Sequence, residues 1–240
     1  MSKKKKYSLI SALLIICIVF VLFIIFPPSH LQNETTPLSG LELKYIELPE
    51  PRYDSETSIE KTLLERRSVR EYSDKPLSLD EISQLLWAAQ GITNTRGFRT
   101  APSAGALYPL ELFLIVGNVN KLPIGVYRYL PNDHKLEKVL DDDKRSELYD
   151  VSLSQSSLKN AAVVLVFSAV YDRIIFKYGE RGIRYVHIEV GHAAENVFLQ
   201  TVSLNLSAVV IGAFHDEEVQ KVIGLKDDEQ PLLLMPIGKK

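Results

Sequence analysis

The first block of the chain is apolar without interruption. Behind "KKKK" (Lys3 to Lys6) runs "YSLISALLIICIVFVLFIIF", about twenty residues without a charge, enough to cross a bilayer as a helix. A cleaved signal peptide has a shorter apolar core and a small-residue cleavage site. "FPPSH" offers no such site, so residues 7–26 read as an uncleaved transmembrane signal-anchor. Lysines precede the span and none follows it closely, which puts the basic tail, 1–6, in the cytoplasm and the remainder outside. The expected location is therefore the cell membrane, single-pass, with an extracytoplasmic domain. Residues 27–57 are polar and proline-punctuated, a linker with room for a short strand at "LELKYIEL". Residues 58–240 suffice for one domain with a sizeable core.

Within that domain the apolar period alternates between helical and extended. "SIEKTLLERRS" has Ser58 as N-cap and Ile59, Leu63 and Leu64 on one helical face. "SLDEISQLLWAAQG" repeats the pattern, with Ser78 and Glu81 as a capping box, Ile82, Leu85, Leu86 and Ala89 as the stripe, and Gly91 as the stop. "ELFLIVG" predicts a buried strand and "GVYRYLPNDHKLEKVL" a hairpin turning at "PNDH". A short helix at "DKRSELYDVSL" precedes a second buried strand, "AAVVLVFSAV". From near Gly182 a long helix carries Ile183, Val186, Val190, Ala194, Val197, Thr201 and Leu204 at helical spacing. "SAVVIGAF" predicts a third strand, "DEEVQKVIGL" a helix ended by Gly224, and "QPLLLMPIG" a last strand. Continuous apolar strands alternating with helices describe a sheet covered on both faces.

Composition narrows the chemistry. A net charge of −2 and the lack of a basic stripe interleaved with aromatics argue against nucleic-acid binding. The single cysteine, Cys17, lies in the expected span, which leaves 58–240 without a disulfide, a cysteine metal site or a thiol nucleophile.

Five stretches could carry function. In "ERRSVREYS", an extended chain after the helix sends Arg66, Ser68 and Arg70 to one side. Two guanidiniums flanking a hydroxyl suit a phosphate; the competing reading is a solvated helix end whose arginines complement the macrodipole. "PSAGALYP" (Pro102 to Pro109) is a proline-bracketed loop of small side chains just before a strand. It suits a flat, uncharged ring lying against backbone, or equally a tight connection. "VIGAF" sits at a strand end, where ligands collect in α/β sheets, and Gly212 there offers an unobstructed N–H. The terminal "PIGKK" supplies Lys239 and Lys240, as phosphate donors or as a frayed tail. Glu189, His192 and Asn196 share one helical face. No second Glu-x-x-His pair accompanies them, which argues against a di-metal site and for buried hydrogen bonding or subunit contact.

In their order, these motifs resemble the FMN-dependent nitroreductase superfamily. "RRSVREYSDKPLSLDEISQLLWAAQGIT", "RTAPSAGALYPLELFLIV" and "KYGERGIRYVHIEVGHAAENVFLQ" resemble, more narrowly, its SagB-type dehydrogenases, a branch that includes flavin enzymes oxidising azoline rings of ribosomal peptides to azoles. The resemblance spans about Ser58 to Lys240. It implies an α+β, three-layer α/β/α fold with a mixed, largely antiparallel sheet, and an intertwined homodimer with FMN at the interface.

By the same resemblance Arg66, Ser68 and Lys239 would hold the FMN phosphate, with Arg70 facing the pyrimidine edge and Arg67 also among the cofactor-binding residues. Pro102, Ser103, Ala104 and Gly105 would line the ring, commonly from the neighbouring subunit, and Gly212 and Ala213 would lie beside its reactive face. Lys177 and Tyr178 of "FKYGERG" would be the acid/base pair; alone, "KY" also fits a basic interfacial pair. Ordinary nitroreductases tend to carry Pro-Ser-x-x-Asn-x-Gln-Pro at the loop; Ala106 and Tyr108 replace its Asn and Gln here, which fits the SagB-type branch.

The expected activity is hydride transfer between a small-molecule or peptide substrate and bound flavin, azoline dehydrogenation included. A membrane anchor argues against simple membership of a cytosolic synthetase. Alternatives are an NAD(P)H-dependent reductase of nitro compounds or quinones, and a non-catalytic membrane-anchored flavin-binding module. With no G-x-G-x-x-G motif after a strand, a nicotinamide would visit the flavin site without a Rossmann domain.

Overall fold

The computed structural model describes residues 44–240. The expected membrane span at 7–26, Cys17 and the basic tail lie outside the described residues; among those described, no helix is long and apolar enough to cross a membrane.

Seven strands form one sheet: β1 (Tyr45–Glu47), β2 (Leu110–Val116), β3 (Gly125–Leu130), β4 (Lys135–Leu140), β5 (Val163–Val170), β6 (Leu206–Ala208) and β7 (Glu229–Lys239). Their order is β1-β4-β3-β2-β5-β7-β6. Every ladder between named strands is antiparallel, and parallel pairing is confined to isolated bridges such as Ser68 with Ala208. The centre is apolar on both sides because β5 is buried at all its positions, so its sequence runs apolar instead of alternating.

The two sides of the pleat sort the helices into layers. Leu112, Leu114, Leu165 and Phe167 point toward helices α2 (Leu79–Gln90) and α6 (Arg181–Ser203), packing with Ile82, Leu86, Val186 and Val197. Phe113, Ile115, Val164 and Val166 point the other way, toward α3 (Arg145–Val151), α4 (Ser156–Asn160) and α7 (Asp216–Ile223). The expected α/β/α layering is present. Two further helices, α1 (Ile59–Glu65) and α5 (Asp172–Tyr178), complete the described set.

Local signals explain most boundaries. Ser78 and Glu81 form the reciprocal capping box of α2, and the Gly91 N–H closes the helix on the Trp87 carbonyl. α7 ends at Gly224, which is left-handed at φ 71°. Three expectations need correction. The expected strand "SAVVIGAF" is ordered as β6 only through Ala208, then touches β7 again at a single bridge, Ile211 with Leu234; Gly212 and Ala213 lie beyond it, exposed. The apolar face of α1 does not enter the core: Ile59, Leu63 and Leu64 are 56%, 58% and 72% exposed, because the helix buries Thr62 instead. The C-terminus is not a frayed tail through Lys239, which ends β7 paired with β6.

Charge is also built into the sheet. Arg128 on β3 donates to Glu111 on β2 at 3.0 Å and to Glu229 on β7 at 2.5 Å, with Glu229 only 1% exposed. Removing the cation from such a pair leaves a buried carboxylate uncompensated. Arg128→Met is therefore expected to cost about 3–5 kcal/mol, read as a fall in the urea midpoint; a midpoint unchanged from wild type would contradict this role.

Candidate functional site

Two groups of the expected site residues assemble in one chain. The first gathers around the end of β7. After α1 the chain turns extended at Arg66 (φ −56°, ψ 122°), and the Val69 N–H donates to the Ala208 carbonyl at 2.8 Å while the Ser73 N–H donates to the Lys239 carbonyl at 3.0 Å. This brings Ser68 beside β6 at Ala208 and Ser73 next to Lys239. Gly238 is required by packing, since a Cβ there would meet the Tyr72 Cβ at 2.7 Å, and the Tyr72 hydroxyl reaches the Val69 and Pro236 carbonyls.

The arginines divide the two readings between them. Arg67 donates to the Leu64 and Arg66 carbonyls at 2.9 and 2.7 Å, so it serves the end of α1. Arg66 lies over the Phe198 ring, 5.2 Å from its centroid, and neither Arg66 nor Arg70 forms an ion pair among the described residues. Lys239, by contrast, is paired through Nζ with Glu81 of the α2 capping box.

The second group surrounds the proline-bracketed loop. Pro102, Ser103 and Ala104 line a cleft of about 220 Å³ with Tyr185, Ile188 and His192 of α6. Ala104–Ala106 forms a 3₁₀ turn in which Gly105 is left-handed at φ 65°, and Ala106 and Tyr108 are also positive, at φ 53° and 47°. A Cβ on Gly105 would meet the Tyr178 hydroxyl at 2.7 Å and Lys177 Nζ at 2.9 Å. The glycine thus lets the loop close directly over the Lys-Tyr pair at the end of α5. Tyr178 in turn packs edge-on against Tyr185, with centroids 5.1 Å apart.

Sequence reading missed the residues that hold this loop. The Tyr108 N–H donates to Ser103 Oγ at 2.9 Å, and its carbonyl accepts from Arg173 at 3.3 Å. Its ring lies under the Arg99 guanidinium at 4.5 Å. Arg99 donates to Gln90 at 2.8 Å, and Arg173 pairs with Glu111 at 2.5 Å. The available signal was a lone carboxylate inside the apolar run "LELFLIV".

The two groups lie apart within one chain. Glu189, behind the loop, and Phe198, under Arg66, are nine positions apart on α6, roughly 13 Å along the axis and two and a half turns around it. They therefore face opposite sides. Gly212 and Ala213 are exposed, and the Ala213 carbonyl accepts from Gln155 at 3.1 Å. Of the third set on α6, Glu189 is 1% exposed, His192 is exposed and Asn196 half-buried.

Glu189 has no hydrogen-bond partner on either carboxyl oxygen among the described residues. Burial pushes its carboxyl from the ordinary 4.5 up to about 7, opposed by the nearby Ser103 hydroxyl and the Arg99 charge. The unfolded chain ionises this group first as pH rises, so the wild type loses stability between about pH 4.5 and 7. The loss is of order 3 kcal/mol, at 1.36 kcal/mol per pH unit. Glu189→Gln removes that dependence, so its stability relative to wild type is expected to rise by this amount from pH 4.5 to pH 8 in urea denaturation. An equal difference at the two pH values would contradict the assignment.

Comparison with known proteins identifies the family. The nitroreductase family matches residues 63–239. A Methanocaldococcus jannaschii protein named as a nitroreductase, MJ1384, is 48% identical over 185 residues, covering 77% of this chain and 92% of its own. The microcin B17-processing protein McbC of Escherichia coli is 33% identical over 132 residues, 53% of this chain and 48% of McbC. Among solved structures, a nitroreductase from Ralstonia eutropha superposes with TM-score 0.73 at 33% identity, over 82% of this chain and 89% of that one. A chain of the E. coli microcin synthetase McbBCD complex, with truncated pro-MccB17 bound, superposes with TM-score 0.64 at 28% identity, over 86% and 83%. By profile, sequence and architecture together, the chain belongs to the nitroreductase family.

Proposed function

We propose that the protein is an FMN-dependent oxidoreductase of SagB type, moving hydride between its substrate and flavin held between two copies of the chain. The observation that carries this reading is the contact of Gly105 with Lys177 Nζ and the Tyr178 hydroxyl. It sets a loop of small side chains, suited to a flat ring, directly against two groups able to exchange a proton.

The residues present fit FMN. Arg66, Ser68 and Arg70 offer a phosphate its charge-assisted donors, while Arg67 is engaged with carbonyls and Lys239 stands behind, tied to Glu81. Ser103, Ala104 and Gly105 present little more than backbone. Gly212 is open, since a Cβ there would meet only Leu233 at 3.9 Å. Apolar residues left exposed on α1 and α6, among them Leu64 at 72% and Ile188 at 49%, supply a face for a second copy, whose loop would meet the first copy's arginine segment.

FMN, when bound, supplies the hydride chemistry. The protein's part is to bind and orient it and to move a proton: Lys177 Nζ or Tyr178 Oη takes the proton that a substrate ring carbon gives up as its neighbour loses hydride. An azoline-bearing peptide is the proposed substrate, supported by similarity to McbC, a microcin-processing protein. The second reading, a free-standing reductase of small molecules, is favoured by the 48% identity to MJ1384. In either case residues 7–26 are proposed to hold the enzyme at the membrane, with its domain outside the cytoplasm.

The full-length chain is expected to purify yellow and to bleach with dithionite; a colourless protein that ignores added FMN would sink the proposal. Replacing Arg66 and Ser68 together by Ala should strip the flavin, and undiminished flavin content would contradict their role. Lys177→Ala should keep its flavin yet lose about a hundredfold or more in turnover of an azoline peptide, the lower range of acid–base contributions being about 10². Bleaching by NADH with reduction of a quinone, and no azoline turnover by wild type, would select the second reading.

A further inference from the structure

Glu189 is the buried acid that the proposed chemistry leaves unused. It lines the cleft beside Pro102, Ser103 and Ala104, yet it is 1% exposed, so it forms the inner wall. Neither carboxyl oxygen meets a donor at hydrogen-bond geometry among the described residues, although the nearby Ser103 hydroxyl, which accepts from the Tyr108 N–H, acts on the carboxyl. Buried polar atoms are nearly always paired, and an orphan calls for an explanation, such as a ligand. Among the described residues no second acid stands beside it to share a metal: the neighbouring side chains are Tyr185, Ile188 and His192 of the same helix. The charged and titratable groups around Glu189 are few. Arg99, in the segment between α2 and the loop, is the cation acting on it. Tyr185 and His192 share its helix, and Lys177 and Tyr178, at the end of α5, reach the loop at Gly105.

A neutral carboxyl carries one donor and one acceptor side by side. That pair is complementary to the N–H and C=O of a cyclic amide or imide. We propose that Glu189 is a ligand-binding residue of this cleft, its carboxyl group pairing with the amide-like edge of the planar heterocycle that lies against Ser103 and Ala104. The assignment rests on the flavin reading of the loop, the pyrimidine half of a flavin having such an edge. It explains why an acid is buried there without a cation in contact. It also makes ring binding proton-dependent, because a carboxylate has lost the donor and repels the carbonyl oxygens.

The test is FMN binding to the full-length protein, followed by quenching of flavin fluorescence at pH 6 and pH 8.5. The wild type should weaken on going to pH 8.5 by about three- to tenfold more than Glu189→Gln, the worth of one neutral hydrogen bond. The Gln variant keeps a donor and an acceptor at both pH values. Titration of the FMN phosphate is common to both proteins and cancels in the comparison. Glu189→Ala should bind weakly at both. Parallel pH profiles for wild type and Gln, or wild-type affinity in Ala at pH 6, would overturn the role of Glu189 and leave the flavin reading standing. No FMN binding by wild type at either pH would overturn both. Thermal melts establish that the variants are folded; should Ala fail to fold, the comparison of wild type with Gln decides.

Discussion

The candidate site depends on how charge is held where the loop enters the sheet. Arg128 sits between Glu111 and Glu229, on three different strands, and stacks on Phe113 at 4.5 Å. Glu111 accepts in addition from Arg173, which reaches the Tyr108 carbonyl. Arg173 belongs to α5, the helix that ends in Lys177 and Tyr178. One chain of ion pairs therefore locks the sheet, the loop and the Lys-Tyr helix into a single arrangement. The more buried links are costly to break, because each carboxylate has surrendered its hydration. The partly exposed Arg173 contributes direction more than stability.

That rigidity matters because the loop is not in a relaxed conformation. Gly105 tolerates a positive φ, but Ala106 and Tyr108 do not do so freely, and each strained residue costs on the order of 1 kcal/mol. The cost is met by fixing Tyr108 on several sides, through its N–H, carbonyl and ring. Such over-determination is typical of segments whose shape is set for a ligand. It also gives Tyr108 a local role, in the position where ordinary nitroreductases tend to carry a glutamine.

Much of this was legible in the sequence where a residue speaks through its own neighbours. The Ser78–Glu81 box, the Gly91 and Gly224 stops and the apolar run of β5 act locally, and the structure shows them as read. The arginine segment and the terminal glycine were recognisable too, although Gly238 proves to make room for Tyr72. What sequence could not show is which distant charges meet. Glu111, Arg128 and Glu229 are ordinary charges on separate strands until the folded sheet brings their side chains together. The short helices α4 and α5 carry too little periodicity to stand out. The apolar stripe of α1 was visible, but not that it would stay uncovered in one chain.

That uncovered stripe bears on the geometry of the site. A phosphate and a ring belonging to one cofactor have to be held by residues converging on a common space. Here the arginine segment and the proline-bracketed loop of one chain meet opposite sides of α6, so in the proposed reading a single copy would not bring both to one cofactor. A second copy removes the difficulty, since its loop can approach the first copy's arginines while its exposed apolar residues find cover. The same contact that would bury Ile59, Leu63 and Leu64 would then assemble the site. Under the proposed function, occupancy by FMN and association of two chains would be linked, each stabilising the state the other needs. In this reading, a site split across α6 is the consequence of a domain whose own core is complete while its ligand contacts are not.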